Sequence, residues 1–147
     1  MKTPCRLNIV SPLFWSFVSL AVTVIIIFIG RFANIMLRSD LLTIILNYIW
    51  KNLIVVFLIS VLATYGELFD RFKKTIAIFS PLLNSTAAIL IVYFVFGLLL
   101  RINAILNIKL ITEISRFVIS NTLAFFLLFL FFGYLKYIVN LFRVSFK

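Results

Sequence analysis

The sequence predicts an all-α integral membrane protein, built as a bundle of four transmembrane helices. Hydrophobic residues occupy 65% of the 147 positions and charged residues only 12%, which is too little polar surface to coat a water-soluble globule. The apolar residues are gathered into four long runs, and the segments between the runs hold nearly every charge. Each run is close to the roughly 20 residues that a helix needs to cross a hydrocarbon core of about 30 Å.

The four runs are predicted to be helices because an isolated strand in lipid leaves its backbone groups unpaired. They are also about twice as long as the strands of a membrane barrel. The predicted spans cover residues 12–30, 53–69, 75–100 and 117–135. Connections between the runs are short, with few glycines and prolines, so we expect residues 1–147 to form a single membrane domain.

The first run has a second interpretation, as the core of a cleaved signal peptide preceded by Lys2 and Arg6. It is long for such a core, however, and it continues into Arg31-Phe32-Ala33-Asn34 without a small-x-small cleavage site. We therefore expect this run to be retained as a span.

A shorter apolar stretch, residues 41–50, precedes the second run and is cut off from it by Lys51 and Asn52. Ten residues are too few to cross a bilayer, so two structures are open. The stretch is either a short interfacial helix with Tyr48 and Trp50 at the headgroups, or the start of one long tilted helix. The continuous helix is favoured.

The orientation follows from the basic residues. Four spans place both termini on one side, and positive charges in short loops favour the cytoplasm. The terminal side carries slightly more of them, namely Lys2, Arg6, Arg71, Lys73, Lys74, Lys136, Arg143 and Lys147, against Arg31, Arg38, Lys51, Arg101, Lys109 and Arg116. We expect cytoplasmic termini, in a bacterial inner membrane or, as the alternative, an organelle inner membrane.

The net charge of +10 indicates attraction to the anionic headgroups of the bilayer. Nucleic-acid binding is not expected, because a phosphate-binding stripe needs its charges clustered on one polar element and these are scattered among loops. The expected partners are the lipid bilayer and another membrane protein, or a second copy of the chain.

The chain lacks the residues of common catalytic and metal sites. It has no histidine, and its one cysteine, Cys5, cannot form an internal disulfide. The acids Asp40, Glu67, Asp70 and Glu113 lie at or near span ends and form no carboxylate pair. We therefore predict no catalytic residue, no metal, no cofactor and no enzymatic activity.

Small and polar residues recur within the spans at helical spacing, which lets membrane helices approach closely and hydrogen-bond. They are predicted to form a helix-packing or partner face, comprising Ser16, Ser19, Thr23, Gly30 and Asn34 on the first span and Ser80, Asn84 and Ala88 on the third. A second hypothesis makes Glu67, Asn84 and Asn121 a polar or ion site. For Glu67, an ion pair with Arg71 one turn later is favoured instead.

One internal echo relates residues 86–97 to residues 122–133. Chance in so biased a composition is the favoured explanation.

Two functions are open. The first is binding another membrane protein by helix-helix contact, as an accessory subunit of a membrane complex or as a protective partner that blocks an intruding pore. Colicin immunity proteins of the inner membrane are similar in general character, being small, basic and multi-span. The alternative is a homo-oligomeric conduit or small transporter, which the near absence of charge in mid-membrane disfavours.

Overall fold

A computed structural model describes residues 10–70 and 74–145, and almost all of them are helical. The helices are α1 Val10–Leu37, α2 Asp40–Lys51, α3 Leu53–Asp70, α4 Lys74–Ala77, α5 Ser80–Leu106, α6 Lys109–Ser120 and α7 Thr122–Ser145. Four stretches are long and apolar enough to cross a membrane: Pro12–Leu37, Leu53–Asp70, Ser80–Leu106 and Thr122–Val139. The predicted class is confirmed, and the chain is an integral multi-pass membrane protein.

The spans begin and end at slightly different residues from those predicted. The third begins at Ser80, because Pro81 lies in the first turn of α5 and cannot continue a helix from before it. The fourth begins at Thr122, because Asn121 separates it from α6. The first and third continue past Arg31 and Arg101, so these arginines lie within helices.

The helix that was expected to run through residues 41–69 is divided at Asn52, so the preference for one continuous helix was wrong. Asn52 leaves the helical conformation, with φ −109° and ψ 22°, and its side-chain amide donates to the carbonyl oxygen of Tyr48 at 2.9 Å. Asparagine favours such breaks because its side chain competes for backbone partners. The division separates α2 from α3 by one residue.

Helices α1, α2 and α3 form a hairpin whose return arm is bent at Asn52. A tight turn ends α1, where Arg38 adopts a left-handed conformation with φ 47°. The side chain of Asn34 closes this turn, since its oxygen accepts from the Ser39 backbone N–H at 3.0 Å and its nitrogen donates to Thr43 at 2.7 Å. Helix α2 then packs back along α1.

Helices α5, α6 and α7 form a second hairpin of the same construction. Asn107 adopts the left-handed conformation, with φ 52°, and Asn103 closes the turn. The Asn103 oxygen accepts from the Ile108 N–H at 2.9 Å, and its nitrogen donates to Thr112 at 2.7 Å. The return arm is bent at Asn121, whose side chain donates to the Phe117 carbonyl oxygen at 2.7 Å.

The two hairpins are repeats of one unit, offset by 69 positions in the sequence. The helix boundaries repeat at the same offset: α1 ends where α5 ends, α2 begins and ends where α6 does, and α3 begins where α7 begins. Aligned in this way, residues 10–70 and 79–139 are identical at 13 of 61 positions. The identities include the residues that close and bend the hairpins, paired as Asn34 with Asn103, Thr43 with Thr112 and Asn52 with Asn121. Each hairpin returns to its starting side, so both enter the membrane in the same direction.

Small and polar side chains fill much of the interior. Buried polar side chains are Ser16, Ser80, Ser85, Asn103 and Ser115, and buried hydrophobic ones are Ile27, Leu46, Ala77, Ala87 and Val118. Many large apolar side chains are exposed instead, which suits a protein whose solvent is lipid.

The four long helices pack as an open row, in which α1 contacts α3, α3 contacts α5, and α5 contacts α7. Within the described residues, α1 and α7 share no comparable contact at the two ends of the row. Helix α2 adds a contact to α5. We call the contact of α2 and α3 with α5 the joint, because it holds the two hairpins together.

Candidate functional site

One half of the joint brings α3 and α5 together at Gly66 and Asn84. Gly66 is buried, and a Cβ atom placed on it would overlap the carboxamide of Asn84. The hydroxyl of Ser80 donates to the Gly66 carbonyl oxygen at 2.8 Å, and the amide of Asn84 donates to the Ser80 oxygen at 3.2 Å. The missing side chain therefore lets a polar cluster of α5 reach the backbone of α3.

The other half of the joint is formed by Tyr48 of α2. Its hydroxyl donates to the Phe94 carbonyl oxygen at 3.1 Å, and its ring packs against the Phe94 ring with centroids 5.2 Å apart. The hydroxyl also fills the place that a side chain on Gly97 would take. Burial raises the pKa of the Tyr48 hydroxyl, the nearby Tyr93 raises that pKa further, and the charge of Arg101 lowers it.

A polar cleft of about 460 Å³ opens beside Tyr48, on the side of the joint that faces the two hairpin turns. We call it the turn-end cleft. Its polar lining consists of Asn47, Tyr48, Lys51, Asn52, Tyr93 and Arg101, so it contains two cations. No carboxylate lines it, and within residues 10–70 and 74–145 neither cation forms an ion pair.

A smaller cleft of about 230 Å³ opens at the opposite end of the joint, next to Ser80 and Asn84. Its lining includes both an acid, Asp70 of α3, and a base, Lys136 of α7. The two clefts therefore differ in charge, the turn-end cleft being cationic and this one mixed.

The face predicted on the first span is divided between contacts inside the hairpin and exposure. Ser16 is fully buried and lies 3.2 Å from the Thr64 hydroxyl of α3. Gly30 faces Leu46 of α2, and Asn34 closes the turn as described. Thr23 donates within its own helix, to the Ser19 carbonyl oxygen at 2.9 Å, and Ser19 is exposed.

The face predicted on the third span lies in the joint or beside it. Ser80 and Asn84 form the polar cluster against Gly66, and Ala88 lines the smaller cleft. Ala88 is half-buried.

The three residues of the alternative polar site are not brought together as one cluster. Asn84 is in contact with Gly66, which precedes the exposed Glu67 in the chain. Asn121 instead bends the second hairpin and donates to the Phe117 carbonyl oxygen. The proposed partner of Glu67, Arg71, lies outside the described residues, as does Cys5.

Tyr48 and Gly97 were not predicted to be joint residues, and Lys51 and Arg101 were not predicted to line one cleft. The residues are far apart in the chain, and Lys51 and Arg101 were assigned only to loops at span ends. The offset of 69 positions was the signal that would have located the joint, because it shows where one hairpin stops and the next begins.

The repeat also shows what the joint positions carry on the two outer faces of the row, where no joint forms. At the positions 69 residues away, Phe117 is equivalent to Tyr48, Leu135 to Gly66, Trp15 to Asn84 and Phe28 to Gly97. These four side chains are between 47% and 62% exposed. Large apolar groups thus replace the small and polar groups of the joint, which suits contact with lipid and removes the features that let the joint close.

The described residues contain no group of three or more histidine, cysteine or acidic side chains that could hold a metal ion. No protein-family model matches this chain, and no curated protein or solved structure does either.

Proposed function

We propose that this chain acts by binding another membrane protein through its helices, with no turnover and no ion flux of its own. The open row is the observation that carries the proposal. Its packing leaves apolar surface of α1 and α7 without a neighbouring helix, while the joint is closed by its own hydrogen bonds. Such surfaces suit docking by a second membrane protein.

The alternative, a conduit, has less support from the polar groups. The hydroxyl groups within the spans bond mainly to carbonyl oxygens of their own helices, as those of Ser16, Thr64 and Thr86 do. The charged residues whose side chains are described lie toward the ends of the long helices or on α2 and α6, and not at the middle of a span. A water-filled path needs polar groups left free to line it.

A partner-docking position on α1 is supported by Ser19, the member of the predicted face that is left exposed. Ser19 and Thr23 stand four residues apart, a spacing of small residues at which membrane helices approach closely. A photo-crosslinking residue at Ser19 should give a discrete adduct with a larger membrane protein in native membranes. The same residue at Ile54, which is 76% exposed on α3 inside the row, serves as the control and should not give that adduct.

The purified chain in liposomes should leave ion gradients intact. Gradient collapse that is lost on Glu67→Gln or Asn84→Ala would reject the binding function and support the conduit. An adduct from Ser19 with an assembly subunit supports the accessory role, whereas an adduct with a pore-forming toxin supports the protective, immunity-type role.

We also propose a bacterial inner membrane and cytoplasmic termini, supported by the basic turn at residues 71–74. In a Cys5→Ser background, a membrane-impermeant thiol reagent should label Lys109→Cys on intact cells, because the Lys109 side chain is 91% exposed at the turn end. Glu67→Cys, at the other end, should react only after permeabilisation. The opposite pattern would reverse the orientation.

A further inference from the structure

The turn-end cleft lies at the depth of lipid headgroups. Along α5, 21 residues separate Ser80, in the smaller cleft, from Arg101, in the turn-end cleft. That length of helix is about 31 Å, which matches a hydrocarbon core of about 30 Å. Asp70 and Lys136 mark one membrane surface beside Ser80, so Arg101 lies at the other.

The cleft is a built concavity rather than a chance pair of surface cations. Lys51 is the last residue of α2, where the carbonyl end of the helix favours positive charge. Arg101 approaches from α5, and Asn52, where the return arm bends, lines the space beside them. With two cations and no carboxylate in the lining, the cleft has an uncompensated positive charge.

Neutral donors surround the two cations. Asn47 has its side-chain oxygen turned to Arg31, which donates to it at 3.5 Å, so its amide N–H groups are left as donors. Arg31 is itself fixed over the Trp50 ring, 5.1 Å from the ring centre. The Asn47 amide beside two cations matches a tetrahedral anion, whose oxygens accept hydrogen bonds.

We propose that the turn-end cleft binds an anionic phosphate group, with Lys51 and Arg101 as its charged ligands and the headgroup of an anionic phospholipid as its source. The depth of the cleft favours the lipid over a soluble phosphate, because a lipid phosphate stands at that level with its acyl chains beside the helices. The site is independent of partner binding on α1.

The test measures the affinity of the detergent-solubilised full chain for phosphatidylglycerol by native mass spectrometry, with phosphatidylcholine as the zwitterionic comparison. Replacing both cations, as Lys51→Gln/Arg101→Gln, should weaken phosphatidylglycerol binding about tenfold or more, since each charged hydrogen bond is stronger than a neutral one. The matched control Lys109→Gln/Arg116→Gln removes two charges from exposed positions of α6 outside the cleft, and should change the affinity less than about twofold.

A variant that keeps the charges, Lys51→Arg/Arg101→Lys, should keep most of the phosphatidylglycerol binding. Such retention would show that the loss in the glutamine variant comes from the missing charges and not from a folding defect caused by changing these two side chains. Equal phosphatidylglycerol affinity in the parent and the glutamine variant would overturn the proposal, as would an equal loss in the α6 control. Glycerol 3-phosphate supplies the soluble phosphate. If it binds through Lys51 and Arg101 while phosphatidylglycerol does not, the lipid assignment is overturned and a soluble phosphate is the ligand.

Discussion

Gly66→Val is expected to destabilise the fold by about 3 kcal/mol, since overpacking a close contact typically costs 1–3 kcal/mol and a hydrogen bond is lost as well. The new side chain would meet the carboxamide of Asn84, so α3 and α5 must separate. That separation also draws the Gly66 carbonyl oxygen away from the Ser80 hydroxyl. Unfolding of the purified chain on addition of a denaturing detergent, followed by circular dichroism, measures the loss.

Leu135→Val provides the matched control, because Leu135 holds the position of Gly66 in the second hairpin and already carries an exposed side chain. It should cost less than about 1 kcal/mol. Asn84→Ala should in turn remove the steric overlap that Gly66→Ala creates. The double variant should therefore be more stable than the sum of the two single changes in stability predicts. Strict additivity, or a stability of Gly66→Val equal to that of the parent, would show that the close contact does not hold the hairpins together.

The sequence predicted the spans well because their signal is local. A run of about 20 apolar residues satisfies the bilayer by itself, and no tertiary contact is needed to specify it. The bends at Asn52 and Asn121 were harder to predict, because asparagine continues a helix in some settings and breaks it in others. Its side chain breaks these two by bonding the carbonyl oxygen four residues earlier.

The joint could not be predicted from one span at a time, since its contacts pair residues from different hairpins. Gly66 and Gly97 are single glycines in apolar runs, and only the approach of Asn84 and Tyr48 reveals why a side chain is excluded there. The predicted face on the first span was instead spread among contacts with α2, contacts with α3 and exposure. Helical spacing places residues on one stripe but does not say which neighbour the stripe meets.

The repeat was missed because its matches are few and six of the 13 are leucine, isoleucine or phenylalanine, which the composition makes common. The echo between residues 86–97 and 122–133 compares helices from the outgoing and return arms of one hairpin. The offset of 69 positions instead aligns equivalent helices, and its informative matches are the few polar residues that close and bend each hairpin. An exchange of side-chain size between helices also hides the repeat. In the first hairpin a small residue, Gly30, faces the large Leu46, whereas the equivalent positions of the second hairpin hold the large Leu99 and the small Ser115.

Two hairpin repeats close one joint within the chain and leave outer faces that do not repeat it. Oxidative crosslinking tests this directly, in a Cys5→Ser background in native membranes. The pair Gly66→Cys/Asn84→Cys should form an internal disulfide almost completely, since the residues are in contact and the Asn84 carboxamide that would obstruct a side chain at residue 66 is removed.

The pair Leu135→Cys/Trp15→Cys occupies the same two repeat positions on the outer faces, and it should form none. Gel mobility under non-reducing conditions separates an internal disulfide from crosslinked copies. A monomer of increased mobility for the first pair, and an unchanged monomer for the second, is the predicted result. A ladder of linked copies from the second pair, or no disulfide in the first, would contradict the account.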